Sequence, residues 1–222
     1  MMPPYIEEIK KQDIIDQLTW DDSVNANDVH VTVIGNTVQL IGTVPNYTAK
    51  MAAERAAYQV VGVNHVENYL KVDFPPSFAM PGDEEITSSI NHMLTWNSNI
   101  KSDDIMVKTN NRIVTLSGMV SSYWEKYLSG RIAVTTHGVI EVINDLAVNP
   151  TRNIIDRDIE KDITNTYRRS GLIDEHEITV SVNNGIVRLS GVVSKRLIKQ
   201  EAHDVAMYTA GVVDVIDELT IG

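Results

Sequence analysis

Three lysines, Lys50, Lys126 and Lys199, each stand eight residues after a glycine, namely Gly42, Gly118 and Gly191. Three residues before each lysine stands Tyr47, Tyr123 or Arg196, and Trp124 and Lys195 are adjacent to this set. Aromatic and cationic side chains gathered at the start of a helix could hold an anionic headgroup, because free backbone N–H groups also point there. The simpler reading is surface chemistry. Lys50 would pair with Glu54 four residues on, or the lysine stems would cover apolar sheet edge.

Other chemistry is hard to find. The six histidines, at 30, 65, 92, 137, 176 and 203, fall at different places in the repeat described below, so a shared ligand set is not expected. His176, between Glu175 and Glu177, is the most metal-like, yet no zinc-type spacing supports it and a solvated loop is expected. Residues Asp21 to Asp28 alternate oxygen-bearing side chains like a calcium loop. Ala26 stands where that loop needs glycine and Thr32 where it needs glutamate, so a polar turn is expected instead. Cysteine is absent, which excludes disulfides and thiol catalysis. No Gly-x-Ser-x-Gly, Walker, Gly-x-Gly-x-x-Gly or His-Glu-x-x-His motif occurs. The expectation is a protein that is not an enzyme and has no metal and no cofactor.

The elements that position the lysines are legible because the chain repeats itself. Val38-Gln39-Leu40-Ile41-Gly42-Thr43-Val44 returns as Val114-Thr115-Leu116-Ser117-Gly118-Met119-Val120 and as Val187-Arg188-Leu189-Ser190-Gly191-Val192-Val193. A second glycine follows twenty residues later in each copy, at Gly62, Gly138 and Gly211. Such a period marks an array of small modules. A unit of this size buries only about 60% of its unfolded surface, so contacts between modules bear on stability.

Within a copy, an amphipathic helix comes first, with Ile86, Ile90 and Leu94 or Ile159, Ile163 and Tyr167 in one stripe. In the first copy Lys10 replaces one apolar residue ahead of Ile14 and Leu18. Alternating Val29, Val31 and Val33 and their counterparts predict a strand. Asn and Gly then predict a tight hairpin turn, and a second strand ends near the first glycine. A second helix lays small residues on the sheet: Ala53, Ala56 and Ala57; Ser129, Ile132 and Ala133; Ala202, Val205 and Ala206. The second glycine fits the end of that helix, where a left-handed residue is favoured. The last strand spans Val66–Lys71, Val142–Val148 and Val215–Ile221.

The predicted fold is α+β: three tandem αββαβ modules at 1–73, 82–149 and 153–222, each a three-stranded mixed sheet with two helices on one face. Three prolines, at 75, 76 and 81, stiffen the first linker, and the second lies around Asn149 to Arg152. Trp20 and Trp96 share the end of the first helix, where the third copy has Arg169. A large aromatic there is expected to pack on the module core, the alternative being a contact between modules or with a membrane interface.

The net charge of −11 is spread along the chain. Residues 1–76 carry 5 basic and 10 acidic residues, 77–150 carry 5 and 8, and 151–222 carry 9 and 12. An acidic array is ill suited to nucleic acid, and no nucleic-acid partner is expected. No apolar run reaches the roughly 18 residues of a membrane span. The first residues lack a signal-peptide pattern, so the sequence as it stands reads as cytoplasmic, and as periplasmic if an export signal had been removed.

The pattern of strand, Gly-x-Val, helix and Gly-Val, closing on Val66-x-Asn68-x-Leu70, Val142-x-Asn144-x-Leu146 and Val215-x-Asp217-x-Leu219, resembles the BON domain family. The resemblance covers nearly the whole chain as three copies with identical glycine spacing. It implies non-catalytic modules that bind phospholipid or attach proteins to membranes, in osmotically induced periplasmic proteins, outer-membrane lipoproteins, secretin-associated proteins and mechanosensitive channels. The matching positions are structural glycines and core valines, so they carry over the fold and no binding site. On this reading the expected partners are phospholipid headgroups or an envelope or membrane protein, with Tyr47, Lys50, Tyr123, Trp124, Lys126, Lys195, Arg196 and Lys199 as the lipid patch. Two other readings stand beside it. One is a protein-interaction scaffold with intermodule or homo-oligomeric packing. The other is a potassium sensor, after a potassium-binding relative.

Overall fold

The computed structural model describes residues 4–20, 24, 26–74, 79–151, 154–174 and 176–222. Part of the calcium-like stretch (Asp21, Asp22, Ser23 and Asn25), the linker residues 75–78 and 152, and Glu175 beside His176 lie outside the described residues.

The first module contains α1 (Pro4–Trp20), β1 (Val29–Ile34), β2 (Thr37–Val44), α2 (Tyr47–Ala57) and β3 (His65–Val72). The second contains α3 (Asp83–Trp96), β4 (Ile105–Asn110), β5 (Ile113–Val120), α4 (Tyr123–Thr135), β6 (Glu141–Asn144) and β7 (Ala147–Val148). The third contains α5 (Asp156–Ser170), β8 (Ile178–Asn183), β9 (Ile186–Val193), α6 (Arg196–Tyr208) and β10 (Asp214–Ile221). The αββαβ order therefore occurs three times. The chain packs as two compact units: Met1–Ser88 with Thr109–Val114 and Ala133–Val142, and Ser89–Lys108 with Thr115–Ile132 and Ile143–Gly222.

Each sheet is mixed, with the second strand in the middle. β1 and β2 run antiparallel with Val31 opposite Leu40, and β2 and β3 run parallel with Val38 beside Val66. β8, β9 and β10 repeat this, with Val180 opposite Leu189 and Val215 beside Val187. Inward residues of the middle strands are sealed: Val38, Leu40, Val114, Leu116, Val187 and Leu189 are each 0% exposed. The helices close the core from the same side through Ile14 and Leu18, Ile86, Ile90 and Leu94, and Ile159, Ile163 and Tyr167. The small residues of the second helices let them approach closely, and Ala53, Ala57, Ser129, Ala133, Ala202 and Ala206 are fully buried.

Each hairpin turn is held by a carboxylate from the first helix. Asp83 accepts from the N–H groups of Asn111 and Arg112 at 2.8 and 2.9 Å. Asp156 accepts from Asn184 and Gly185, both at 2.8 Å. Glu7 accepts from Gly35 at 2.8 Å. Asn111, Arg112, Asn184 and Gly185 all have positive φ, as a two-residue turn matched to strand twist requires. The carboxylate satisfies backbone donors that the hairpin itself leaves unused.

One expectation is refined and two need correction. The second strand does end near the first glycine, but Gly42 and Gly191 themselves lie inside β2 and β9, opposite Val29 and Ile178. A Cβ at Gly42, Gly118 or Gly191 would stand 2.0 to 2.1 Å from the carbonyl oxygen of Asp28, Asp104 or Glu177, so the crossing backbone demands glycine. The second glycine has the expected positive φ but sits in the turn beyond the helix, since α2 ends at Ala57 and Gly62 follows later. The predicted last strand of the second module is split into β6 and β7, and the Asp145 N–H between them returns to the Leu116 carbonyl at 2.8 Å.

Lys10 also has a physical account. It is 9% exposed, and its ammonium donates to Gly62 O and Asn36 Oδ1 at 2.9 Å each and to Gly35 O at 3.4 Å. A buried ammonium is tolerated when carbonyl oxygens replace its water. Ile86 and Ile159 fill the same place beside Gly138 and Gly211 with hydrocarbon.

Candidate functional site

The helix starts that carry the aromatic and basic residues are positioned by caps. Asn46 ends the loop before α2, and its Oδ1 accepts from the Ala49 N–H at 2.7 Å. Before α4, the Ser122 hydroxyl accepts from the Glu125 N–H at 3.1 Å, and Glu125 reaches back to the Ser121 N–H at 2.7 Å. These side chains already satisfy N–H groups on which an anion would have drawn. Lys195, which precedes α6, is exposed and makes no side-chain cap.

Glu125 is 6% exposed and serves several donors at once. Burial opposes its charge, but the Ser121 hydroxyl, the Ser121 N–H and the Lys101 N–H prevail and hold its carboxyl below the usual 4.5.

The expected aromatic residues each contact the module that follows their own. Tyr47 is half-buried, and its hydroxyl accepts from the Val142 N–H. Burial pushes this phenol up; the Val142 bond opposes that, and Glu141 and Glu54 add to it. Tyr123 repeats the arrangement: its hydroxyl donates to the Asp214 carboxylate and accepts from the Val215 N–H. Burial, followed by Asp214, raises its pKa. The Trp124 ring lies 4.6 Å from the Tyr208 ring and 5.8 Å from the Tyr127 ring.

The lysines follow the closing motif. The Asn68 amide donates to the Lys50 carbonyl at 3.0 Å and to Glu54 Oε2 at 3.0 Å. The Asn144 amide donates to the Lys126 carbonyl at 2.8 Å. Asp217 cannot donate, and there the Lys199 ammonium comes inward, 3.5 Å from Asp217 Oδ1, and donates to the Leu219 carbonyl. Asn68, Asn144 and Asp217 also accept from the N–H of Leu70, Leu146 and Leu219. The motif thus joins the second helix to the last strand. Lys50, Lys126 and Lys199 are all half-buried, Arg196 is half-buried, and Lys195 is exposed.

Two residues expected inside are outside. Trp20 and Trp96 are each 83% exposed, at the last position of α1 and of α3. The stripes that pack run through Ile14 and Leu18 and through Ile90 and Leu94, and the tryptophans fall off them. Tyr58 drew no attention in the sequence, because Val134 and Met207 occupy its place in the other copies. It proves to bond the start of β3: the Val66 N–H donates to the Tyr58 hydroxyl at 3.2 Å.

Among the described residues, no group of three or more His, Cys, Asp or Glu side chains could hold a metal ion. Among them, too, no helix is long and apolar enough to cross a membrane. The His176 N–H donates to Asp174 Oδ1 at 2.9 Å within its own loop.

A curated relative is similar over much of the chain. Osmotically-inducible protein Y of Escherichia coli K12 is 29% identical over 143 residues, 62% of this chain and 71% of that protein. Two solved structures concern CdsD, a structural protein of the type III secretion system of Chlamydia trachomatis. One is 20% identical, covering 95% of this chain and 91% of that chain, with a TM-score of 0.25. The other, of its C-terminal domain, is 18% identical, covering 100% and 99%, with a TM-score of 0.24. The repeat, its two glycines and the Asn/Asp grip on the second helix recur in all three modules. The BON domain model matches residues 7–73, 82–150 and 155–222, and the chain belongs to the BON domain family as three tandem copies.

Proposed function

We propose that the protein is a non-catalytic binding and adaptor array that docks on phospholipid surfaces and serves the response to osmotic or membrane stress. The observation that carries this reading is the pair of tryptophans, Trp20 and Trp96, each 83% exposed at the same module position. Leaving two indoles in water is unfavourable, and an amphipathic ring is well matched to the membrane–water interface. Lys195 and Arg196, before and at the first turn of α6, supply headgroup contacts from the patch read in the sequence. Tyr47, Tyr123 and Trp124, from the same set, are engaged with Val142, Asp214 and Tyr208. The similarity to an osmotically inducible protein supports the stress setting.

The net charge of −11 opposes adsorption to anionic lipid, so the apolar contribution of the indoles decides the outcome. Co-sedimentation with zwitterionic and with anionic vesicles, at low and at moderate salt, tests the proposal. Binding is expected to zwitterionic vesicles and to fall by about tenfold in the W20A/W96A variant, as loss of roughly 1.4 kcal/mol would give. No binding to either vesicle at low salt would sink it.

A second reading, a protein-interaction scaffold, draws on the contacts of Tyr47 and Tyr123 with the following module. Wild-type binding to a folded protein partner with no vesicle binding would favour it.

A further inference from the structure

Three backbone N–H groups at equivalent positions, those of Val66, Val142 and Val215, stand near the start of the last strand of each module. That strand lies at the edge of its sheet in the first and third modules, with β2 and β9 as its partners. Edge N–H groups are a ready template for unwanted pairing unless something covers them.

In the second and third modules the cover comes from the preceding module. The Val142 N–H donates to the Tyr47 hydroxyl and the Val215 N–H to the Tyr123 hydroxyl. The next residue adds a contact each time. The Thr48 hydroxyl donates to the Val134 carbonyl at 3.4 Å, and the Trp124 ring lies 4.6 Å from that of Tyr208. The docking surface is thus used twice: a Tyr-led helix start on one side, and a strand start with the end of the second helix on the other.

The first module has no predecessor among the three copies, and its own residues occupy the accepting side. The Tyr58 hydroxyl, from the end of α2, takes the Val66 N–H at 3.2 Å. Gln59, equivalent in position to Tyr208, is held by the Gln17 amide at 2.6 Å. In the third module the donating pair is changed: Arg196-Leu197 stands where Tyr47-Thr48 and Tyr123-Trp124 stand before it. A contact repeated head to tail does not close on itself, so an open pair of such surfaces would let one copy add to another.

We propose that Tyr58 is a built-in end cap: its hydroxyl fills the tyrosine site of the first module and closes that surface to the helix start of a second copy. Arg196 completes the closure by removing the matching tyrosine from the third module. The surface fits a tyrosine-bearing module of this same kind, and in the native chain it is spent internally.

Two full-length variants open one end each. Tyr58→Val places in the first module the residue found at position 134, and Arg196→Tyr restores the donating tyrosine. Sedimentation velocity should show the wild type and each variant alone as monomers. An equimolar mixture should give a one-to-one dimer and nothing larger, and the Y58V/R196Y double variant should grow with concentration. A monomeric mixture of two folded variants overturns the proposal, as does R196Y associating alone as strongly as the mixture. Where Y58V does not fold, Tyr58→Phe decides. It keeps the ring and removes the acceptor, so exchange of the Val66 amide should rise about tenfold in hydrogen–deuterium exchange, and unchanged exchange overturns the proposal.

Discussion

The Lys199 ammonium lies 3.5 Å from the Asp217 carboxylate, in the place where the first and second modules use the neutral amides of Asn68 and Asn144. An amide can donate to the carbonyl of the second helix, and a carboxylate cannot. The third module therefore reverses the polarity of the joint: the helix residue brings the donor, and the strand residue accepts. Lys199→Ala should cost about 1–3 kcal/mol, because it removes the cation beside a partly buried carboxylate and the donor to the Leu219 carbonyl. Adding Asp217→Asn should recover much of that loss, since asparagine at this place bonds the helix carbonyl in both other modules. Urea denaturation of the two single variants and the double variant gives the coupling directly. Simple additivity would show that the pair is a surface coincidence.

Gly42 and Gly35 make a controlled comparison within one hairpin. Both have positive φ, but a Cβ at Gly42 would lie 2.0 Å from the Asp28 carbonyl oxygen, whereas at Gly35 nothing lies within 4 Å. Gly35→Ala should cost about 1–2 kcal/mol, the backbone preference alone. Gly42→Ala adds an unavoidable clash with backbone and should cost more than about 4 kcal/mol. Thermal unfolding followed by circular dichroism distinguishes the two, and equal losses would refute the crowding argument.

The parts that the residues disclosed were those with a local physical cause. Alternation at Val29, Val31 and Val33, the Asn-rich turns and the stripe of Ile86, Ile90 and Leu94 each follow from a backbone period, so the αββαβ order was readable. The site was less readable because its partners are distant. Nothing near Tyr47 signals Val142, and nothing near Lys199 signals that Asp217 in place of asparagine will draw the ammonium inward. Trp20 and Trp96 misled for a related reason. Hydrophobicity argues for burial, but at the last position of a helix the direction of the side chain is set by the phase of the stripe before it. That phase places both rings in solvent.

Glu125 should make the second module sensitive to acid. Its folded pKa is depressed below 4.5, so the folded state binds its proton later than the unfolded chain. Its contribution to stability is present above the unfolded value near 4.5 and is lost as pH falls through the lower folded value. Melting temperatures of the wild type should therefore drop more steeply below about pH 5 than those of Glu125→Gln, which cannot titrate. At neutral pH the glutamine variant should be less stable by about 1–2 kcal/mol, having exchanged charge-assisted bonds for neutral ones. Parallel melting curves across pH 3 to 7, a range of order four units, would remove Glu125 from the acid response.

The three tryptophans permit a test of the membrane reading that does not depend on affinity. Trp20 and Trp96 are 83% exposed, whereas Trp124 is packed with Tyr127 and Tyr208. In buffer, acrylamide should quench Trp20 and Trp96 readily. In the W20F/W96F variant, the remaining emission from Trp124 should be blue-shifted and poorly quenched. On zwitterionic vesicles the wild-type emission should shift to the blue and lose most of its quenching, because indoles at an interface leave water. The W20F/W96F variant should show little change under the same conditions, since its one ring is already covered by protein. A vesicle-induced shift of equal size in both proteins would place the contact elsewhere and remove the role assigned to the two helix ends.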